Sequence, residues 1–298
     1  MRKMGIIEGV YARIYSLVVM TWLIMKNNHT LYVYMWPHIG DVCIAMSYLK
    51  AYREQKKIDS ITLLIKQQNY ELCNSYENTF DNVVFFNEKQ LFKLSKSRFV
   101  IRFLKKLHIS IDKHFVCTTP FLFDDRLLHS EEITAGLLTK RVIYDIKGNV
   151  SPVYPKMPTI DSEAYKLFCK EKDKVIIAPF ASSANEIENG FWEELANELM
   201  LKGYSVYTNV TKDREAIKGT KRLDCSIVEL LGYAENANVF ISLRSGIVDL
   251  VAGCKCKKIV IYNDYKFPEL YDLTSWGNND SLFQLFGEPS IEKILELL

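Results

Sequence analysis

The sequence lacks a strong excess of either charge: 38 Lys and Arg stand against 36 Asp and Glu, a formal net charge of +2 at pH 7. Dedicated nucleic-acid binders concentrate a large positive excess, so nucleic acid is excluded as the main partner and a small or neutral one is expected. The cysteines are seven, an odd number scattered along the chain, which does not suit the disulfide framework of a secreted protein. A reducing, cytoplasmic compartment is expected. The one close pair, Cys254 and Cys256, has no second pair or histidine cluster to complete four zinc ligands, and reads as two small buried apolar groups. Also missing are a GxGxxG after a strand, a GxxxxGK-Ser/Thr loop, a GxSxG and an HExxH. Their absence removes the most recognisable dinucleotide-binding, P-loop, hydrolase and zinc-protease readings.

No uninterrupted apolar run reaches the ~20 residues that a membrane span needs. Residues 16–25 (SLVVMTWLIM) are apolar but shorter, so no transmembrane helix is expected. Arg2 and Lys3 ahead of that run mimic a signal peptide, but no small-residue cleavage site follows Met25. Segment 6–26 therefore reads as an apolar helix with two placements open, packed on its domain or lying peripherally in a membrane interface.

What is present is an alternation of short apolar runs with helical patterns. LYVYM (31–35) reads as a strand, followed by the turn Trp36-Pro37-His38-Ile39-Gly40 and Asp41. Apolar residues then recur at helical spacing from 42 to 56, and a carboxylate at Asp41 suits the start of that helix. ITLLI (61–65) and NVVFF (82–86) read as further buried strands, with a helical stretch at 69–78 between them. The basic run at 98–106 (RFVIRFLKK) is either a solvated helix face or a contact for an anionic acceptor. Asp124 and Asp125 read as turn residues. NVSPVYPKMP (149–158) holds three prolines in ten residues and serves as the linker.

Beyond the linker, KVIIAP (174–179), SVYT (205–208), VFIS (239–242) and KIVIY (258–262) read as strands. Between them fall helices at 190–202, from Ser226 with a capping box to Glu229, and at 247–252. The expected fold is α/β: two Rossmann-like domains, each a parallel sheet flanked by helices, spanning 1–154 and 155–298, with ligands at the carboxyl ends of the strands. Loops at those ends carry Ser182 and Ser183, Asn209, and Arg244-Ser245-Gly246. Arg244 could grip a phosphate bidentately, and a helix opening at Ser245 and Gly246 would turn its positive end to an anion. The plainer alternative is that Arg244 pairs with Asp249 and Ser245 caps its helix.

Two segments, YVYMWPHIGDVCIAMSYLKAY and the stretch from VIIAPFASS to ISLRSGIVDLVAGCKCKKIVIY, resemble the bacterial heptosyltransferase family and its GT-B relatives. The first resembles that family's strand, loop and Gly-Asp-Val helix start, the second its donor-binding half. The resemblance implies that Asp41, in the Gly40-Asp41 pair, is the catalytic base, and that Ser182 and Ser183 lie near the donor phosphates. Arg244, Ser245, Gly246 and Asp249 fall on the family's Asp-Thr-Gly-x-x-His motif, with Arg in place of its Asp and Asp in place of its His. Asp213 resembles an acidic position that contacts the donor ribose, and His38 and Gly40 would contact the acceptor or a phosphate. The lysine expected after the first donor loop is absent from NEIENGFW.

The implied activity is an inverting, metal-independent glycosyl transfer from a nucleotide-sugar to a glycan or lipid-linked acceptor, in polysaccharide biosynthesis. The nucleotide-sugar is a co-substrate, and no cofactor or metal is expected. Asp41 would take the acceptor hydroxyl proton as that oxygen displaces nucleoside diphosphate. Two other readings stay open: a nucleotide-sugar epimerase on the same architecture, and a non-catalytic sugar-nucleotide-binding subunit of a polysaccharide assembly.

Overall fold

The computed structural model describes residues 6–107, 114–118, 134–181, 186–210, 214–263, 270–274 and 281–298. The chain divides into two compact units, Met1–Pro155 and Lys156–Leu298.

The first unit is built on four parallel strands, β1 (Leu31–Tyr34), β2 (Ile61–Ile65), β3 (Asn82–Phe85) and β4 (Phe115–Cys117), in the order β3-β2-β1-β4. β1 and β2 are buried along their whole length, as strands covered on both faces must be, which is why they read as unbroken apolar runs. Helix α1 (Ile6–Lys26) precedes β1, and α2 (Ile39–Lys56) links β1 to β2. The 69–78 stretch is shorter than its pattern suggests: a 3-10 turn at Gln67–Asn69 runs into α3 (Tyr70–Asn74). Helices α4 (Glu88–Leu94) and α5 (Ser97–Lys106) follow β3, and α6 (Ala135–Leu138) passes into a π-helical segment at Thr139–Ile143. Met20 and Leu23 of α1, Leu91 and Leu94 of α4 and Val100 of α5 close over Tyr32, Tyr34, Leu64 and Phe115.

Helix α1 spans the expected segment 6–26. The residues before the apolar run continue the same helix, so it reaches 21 residues, and by length and composition it is able to cross a membrane. Its inner stripe, Ala12, Ser16, Met20 and Leu23, is buried, and the Ser16 hydroxyl donates to the Lys93 carbonyl at 2.7 Å.

The second unit holds six parallel strands: β5 (Lys174–Ala178), β6 (Ser205–Asn209), β7 (Lys221–Leu223), β8 (Val239–Leu243), β9 (Lys257–Tyr262) and β10 (Leu282–Phe286). Their order, β10-β9-β8-β5-β6-β7, is the doubly wound 3-2-1-4-5-6 arrangement of a Rossmann sheet. The first unit repeats the first four places of that order. Helices α7 (Glu163–Lys170), α8 (Asn189–Leu201), α9 (Ile227–Glu235), α10 (Gly246–Val251) and α11 (Ile291–Glu296) complete the unit. Its core joins Val175, Ile177, Ile241, Leu243, Ile259 and Ile261 of the sheet to Trp192, Leu195 and Leu199 of α8. Ser226 caps α9 by the expected box: its hydroxyl accepts from the Glu229 N–H at 3.1 Å, and the Glu229 carboxylate accepts from the Ser226 N–H at 2.8 Å. Gly232 lets α9 approach its neighbours, since a Cβ there would fall 2.6 Å from Ile160 Cδ1.

Candidate functional site

Ligands of such sheets sit outside the carboxyl ends of the two strands between which the winding reverses. In the first unit these are β1 and β4, in the second β5 and β8.

At the first of these edges β1 runs into Trp36, Pro37 and His38, and α2 begins. Asn69 Nδ2 donates to the Pro37 carbonyl at 3.0 Å and fixes the turn, while Thr118, just past β4, donates its hydroxyl to the Tyr34 carbonyl at 3.0 Å. His38 occupies the position before α2 in extended conformation, makes no side-chain cap bond and leans on Trp36 with ring centroids 5.9 Å apart. Part of the ring reaches water, but the part packed on the loop is dry enough to lower its pKa below the usual 6.5; Glu88 opposes that shift and Lys66 adds to it. Gly40 is buried and Asp41 half-buried in the first turn of α2, where the helix dipole favours a carboxylate. The Asp41 charge, after burial and Cys117, helps to push the Tyr34 phenol well above its ordinary value.

Two further charges at this edge escaped the sequence reading. Lys66, just past β2, meets Glu88, at the start of α4, at 3.0 Å, and this bond holds the Glu88 carboxyl below its usual value. The signal was available, since each directly follows or nearly follows an apolar strand.

At the second edge the outcome is mixed. Arg244 follows β8 and is 2% exposed; its Nη1 donates to Asp249 Oδ2 at 2.9 Å and its Nη2 to Asp249 Oδ1 at 2.7 Å. Nη1 also reaches the Ser245 carbonyl at 2.7 Å and Nε the Tyr271 carbonyl at 3.0 Å. The bidentate grip is therefore made on Asp249, as the plainer alternative has it, because an arginine in a dry site takes the nearest fixed acceptors. Burial raises the Asp249 carboxyl above its usual value, and the Arg244 charge and hydrogen bonds pull it back. Asp249 is likewise enclosed, 4% exposed.

Ser245 behaves differently. It precedes α10 but makes no side-chain cap bond, and its hydroxyl is buried with no hydrogen-bond partner among the described residues. Gly246 begins α10, and Asn209 ends β6 in a buried position. Ser182, Ser183 and Asp213 lie outside the described residues, as do Asp124 and Asp125. A cation missed by the sequence reading stands at this edge: Arg214 lies 5.2 Å from the Phe180 ring centroid and 2.5 Å from Glu186. Cys254 and Cys256 are buried free thiols, Cys256 pushed by burial up to about 11. No cluster of three or more His, Cys, Asp or Glu suited to a metal occurs among the described residues.

Two Rossmann-like parallel sheets in series, of four and six strands among the described residues, define a GT-B fold. The ADP-heptose lipopolysaccharide heptosyltransferase II of E. coli shares it, with a TM-score of 0.61 at 13% identity over 90% of this chain and 97% of that one. So do the E. coli heptosyltransferase WaaC with ADP (0.59, 12% identity, 90% and 98%) and a glycosyl transferase family 9 structure from Veillonella parvula (0.56, 14%, 90% and 90%). No family model and no curated protein sequence matches the chain.

Proposed function

We propose that the protein is a glycosyltransferase that moves a sugar from a nucleotide-sugar to a hydroxyl of a glycan or lipid-linked acceptor, inverting the anomeric carbon without a metal, on the cytoplasmic side. The observation that carries the reading is the Ser245 hydroxyl, buried and unpartnered among the described residues beside the switch point of a complete Rossmann sheet. A buried hydroxyl left unpaired costs about 1–3 kcal/mol. A diphosphate oxygen arriving there would accept its proton, and the site would gain on binding what it forgoes when empty. A heptosyltransferase of similar fold holds ADP-2-deoxy-2-fluoro heptose, which supports a nucleotide-sugar as the ligand class.

Arg244 enters this proposal as a positioning residue. Through Asp249 at one end and the Ser245 carbonyl at the other it fixes the loop that presents Ser245 and Gly246. Asp41 is the base. Its carboxylate takes the acceptor proton, the acceptor oxygen bonds to the anomeric carbon, and the bond to the diphosphate oxygen breaks with its electron pair leaving on the nucleoside diphosphate.

The test is calorimetric titration with ADP-, GDP-, UDP- and CDP-sugars in EDTA, on the wild type, Ser245→Ala and Asp41→Asn. One nucleotide is expected to bind. Ser245→Ala should weaken it about tenfold while the melting temperature holds or rises, because the substitution removes an unpaired buried group. Asp41→Asn should bind the donor as the wild type does and lose about 10²–10⁴ of the transfer rate. Absence of nucleotide binding, or binding only with a divalent metal, would sink the proposal. Donor turnover without acceptor would return the epimerase reading, and binding with no turnover in the wild type the non-catalytic one.

A further inference from the structure

The face of α1 turned away from the sheet is apolar along its length but for Thr21: Ile7, Ile14, Val18, Trp22 and Met25 are between 51% and 85% exposed. At ~1.5 Å per residue the strip is on the order of 30 Å long. Soluble proteins rarely leave a continuous apolar patch of that length open to water.

Its surroundings are mainly cationic, with Glu8 the single acid on the helix. Arg13 leans over the Phe99 ring of α5 at 5.2 Å, Lys26 over Trp22 at 5.4 Å, and Lys93 of α4 over Tyr11 at 4.6 Å. On α5, which packs beside α1, Arg102 and Lys106 are exposed on either side of Phe103, itself 61% exposed.

We infer that α1 lies in the plane of a bilayer surface carrying anionic lipid, its outer face among the acyl chains and the flanking Lys and Arg against the headgroups. The inference does not depend on the transferase reading. An apolar strip bordered by cations and aromatic rings is the composition of an interfacial helix, and each cation near an anionic leaflet adds attraction. A second copy is the poorer occupant, because two such faces would bring like-charged borders together. Crossing the bilayer is opposed by the inner stripe. Insertion would strip Met20 and Leu23 from Tyr32 and Leu64, and break the bond from Ser16 to the Lys93 carbonyl.

The test is flotation of the full chain with vesicles of phosphatidylcholine, alone and with phosphatidylglycerol added. The wild type should float with the anionic vesicles and much less with the neutral ones. Ile14→Glu with Val18→Glu should lower partitioning at least about tenfold, with an unchanged melting temperature since both side chains are exposed. Arg102→Glu with Lys106→Glu should reduce the preference for anionic lipid by about fivefold per charge and spare the weak neutral binding. No flotation with either vesicle overturns the inference. So does self-association in sedimentation velocity that Ile14→Glu with Val18→Glu abolishes while vesicles are ignored. Retention in membranes through alkaline carbonate, the behaviour of a spanning helix, overturns it as well.

Discussion

At the carboxyl edges of the two sheets, the charges past β1, β2 and β3 and the pair past β8 stand in opposite settings. Past β1, β2 and β3 the titratable groups His38, Asp41, Lys66 and Glu88 keep contact with water, and the Lys66–Glu88 pair has side chains 27% and 67% exposed. Past β8 the Arg244–Asp249 pair is sealed at 2% and 4% exposure. A group that must exchange protons with an acceptor needs a wet, adjustable setting. A loop that must hold a shape without competing for a ligand's charge is better served by a pair that neutralises itself in a dry one.

The sharpest way to break this comparison is to remove one partner of each pair. Arg244→Ala or Asp249→Asn leaves the other group buried and uncompensated, and should lower the unfolding free energy by about 3–5 kcal/mol in urea titrations. The double change Arg244→Met with Asp249→Leu should recover most of that loss, because similar volume is kept and no charge remains. If the double variant is as unstable as either single one, the pair does not act through its charges. Glu88→Gln, by contrast, should cost under about 1 kcal/mol, since an exposed pair is screened.

The same contrast explains what could be read in the sequence. Central strands such as ITLLI and KVIIA are buried on both faces and advertise themselves as apolar runs. The edge strand β7 (KRL) buries only Leu223, so its composition carries no such mark, and β10 (LFQLF), partly buried and apolar but for Gln284, also went unread. At the site, the Asp-Thr-Gly-x-x-His motif of the resembled family has an acid first and a base last. Here Arg244 comes first and Asp249 last, and the two ends touch. Spacing alone could place both residues at the edge of the sheet. It left open whether Arg244 would grip a phosphate or pair with Asp249, and gave no sign that Ser245, a natural cap by type, would be left without its cap bond. Those outcomes depend on which acceptors the fold leaves within reach, Tyr271 among them, 27 positions away in the chain.

The smallest expected effect belongs to His38 and tests how wet the first edge is. Its imidazole pKa is lowered in the folded chain, chiefly by loss of water around the ring, so the unfolded chain takes up the proton first as pH falls. Stability should therefore be complete above the ordinary imidazole value of 6.5 and decline as pH drops through it. The decline should level off once the folded ring protonates too. The contribution is the difference between wild type and His38→Gln in unfolding free energy, followed from about pH 7.5 to pH 5. It should be slight, because the ring still reaches solvent, and larger when Glu88→Gln removes the charge that favours protonation. A wild type and variant with parallel profiles would mean that His38 is as well hydrated as in the unfolded chain, and that the first edge is wetter still.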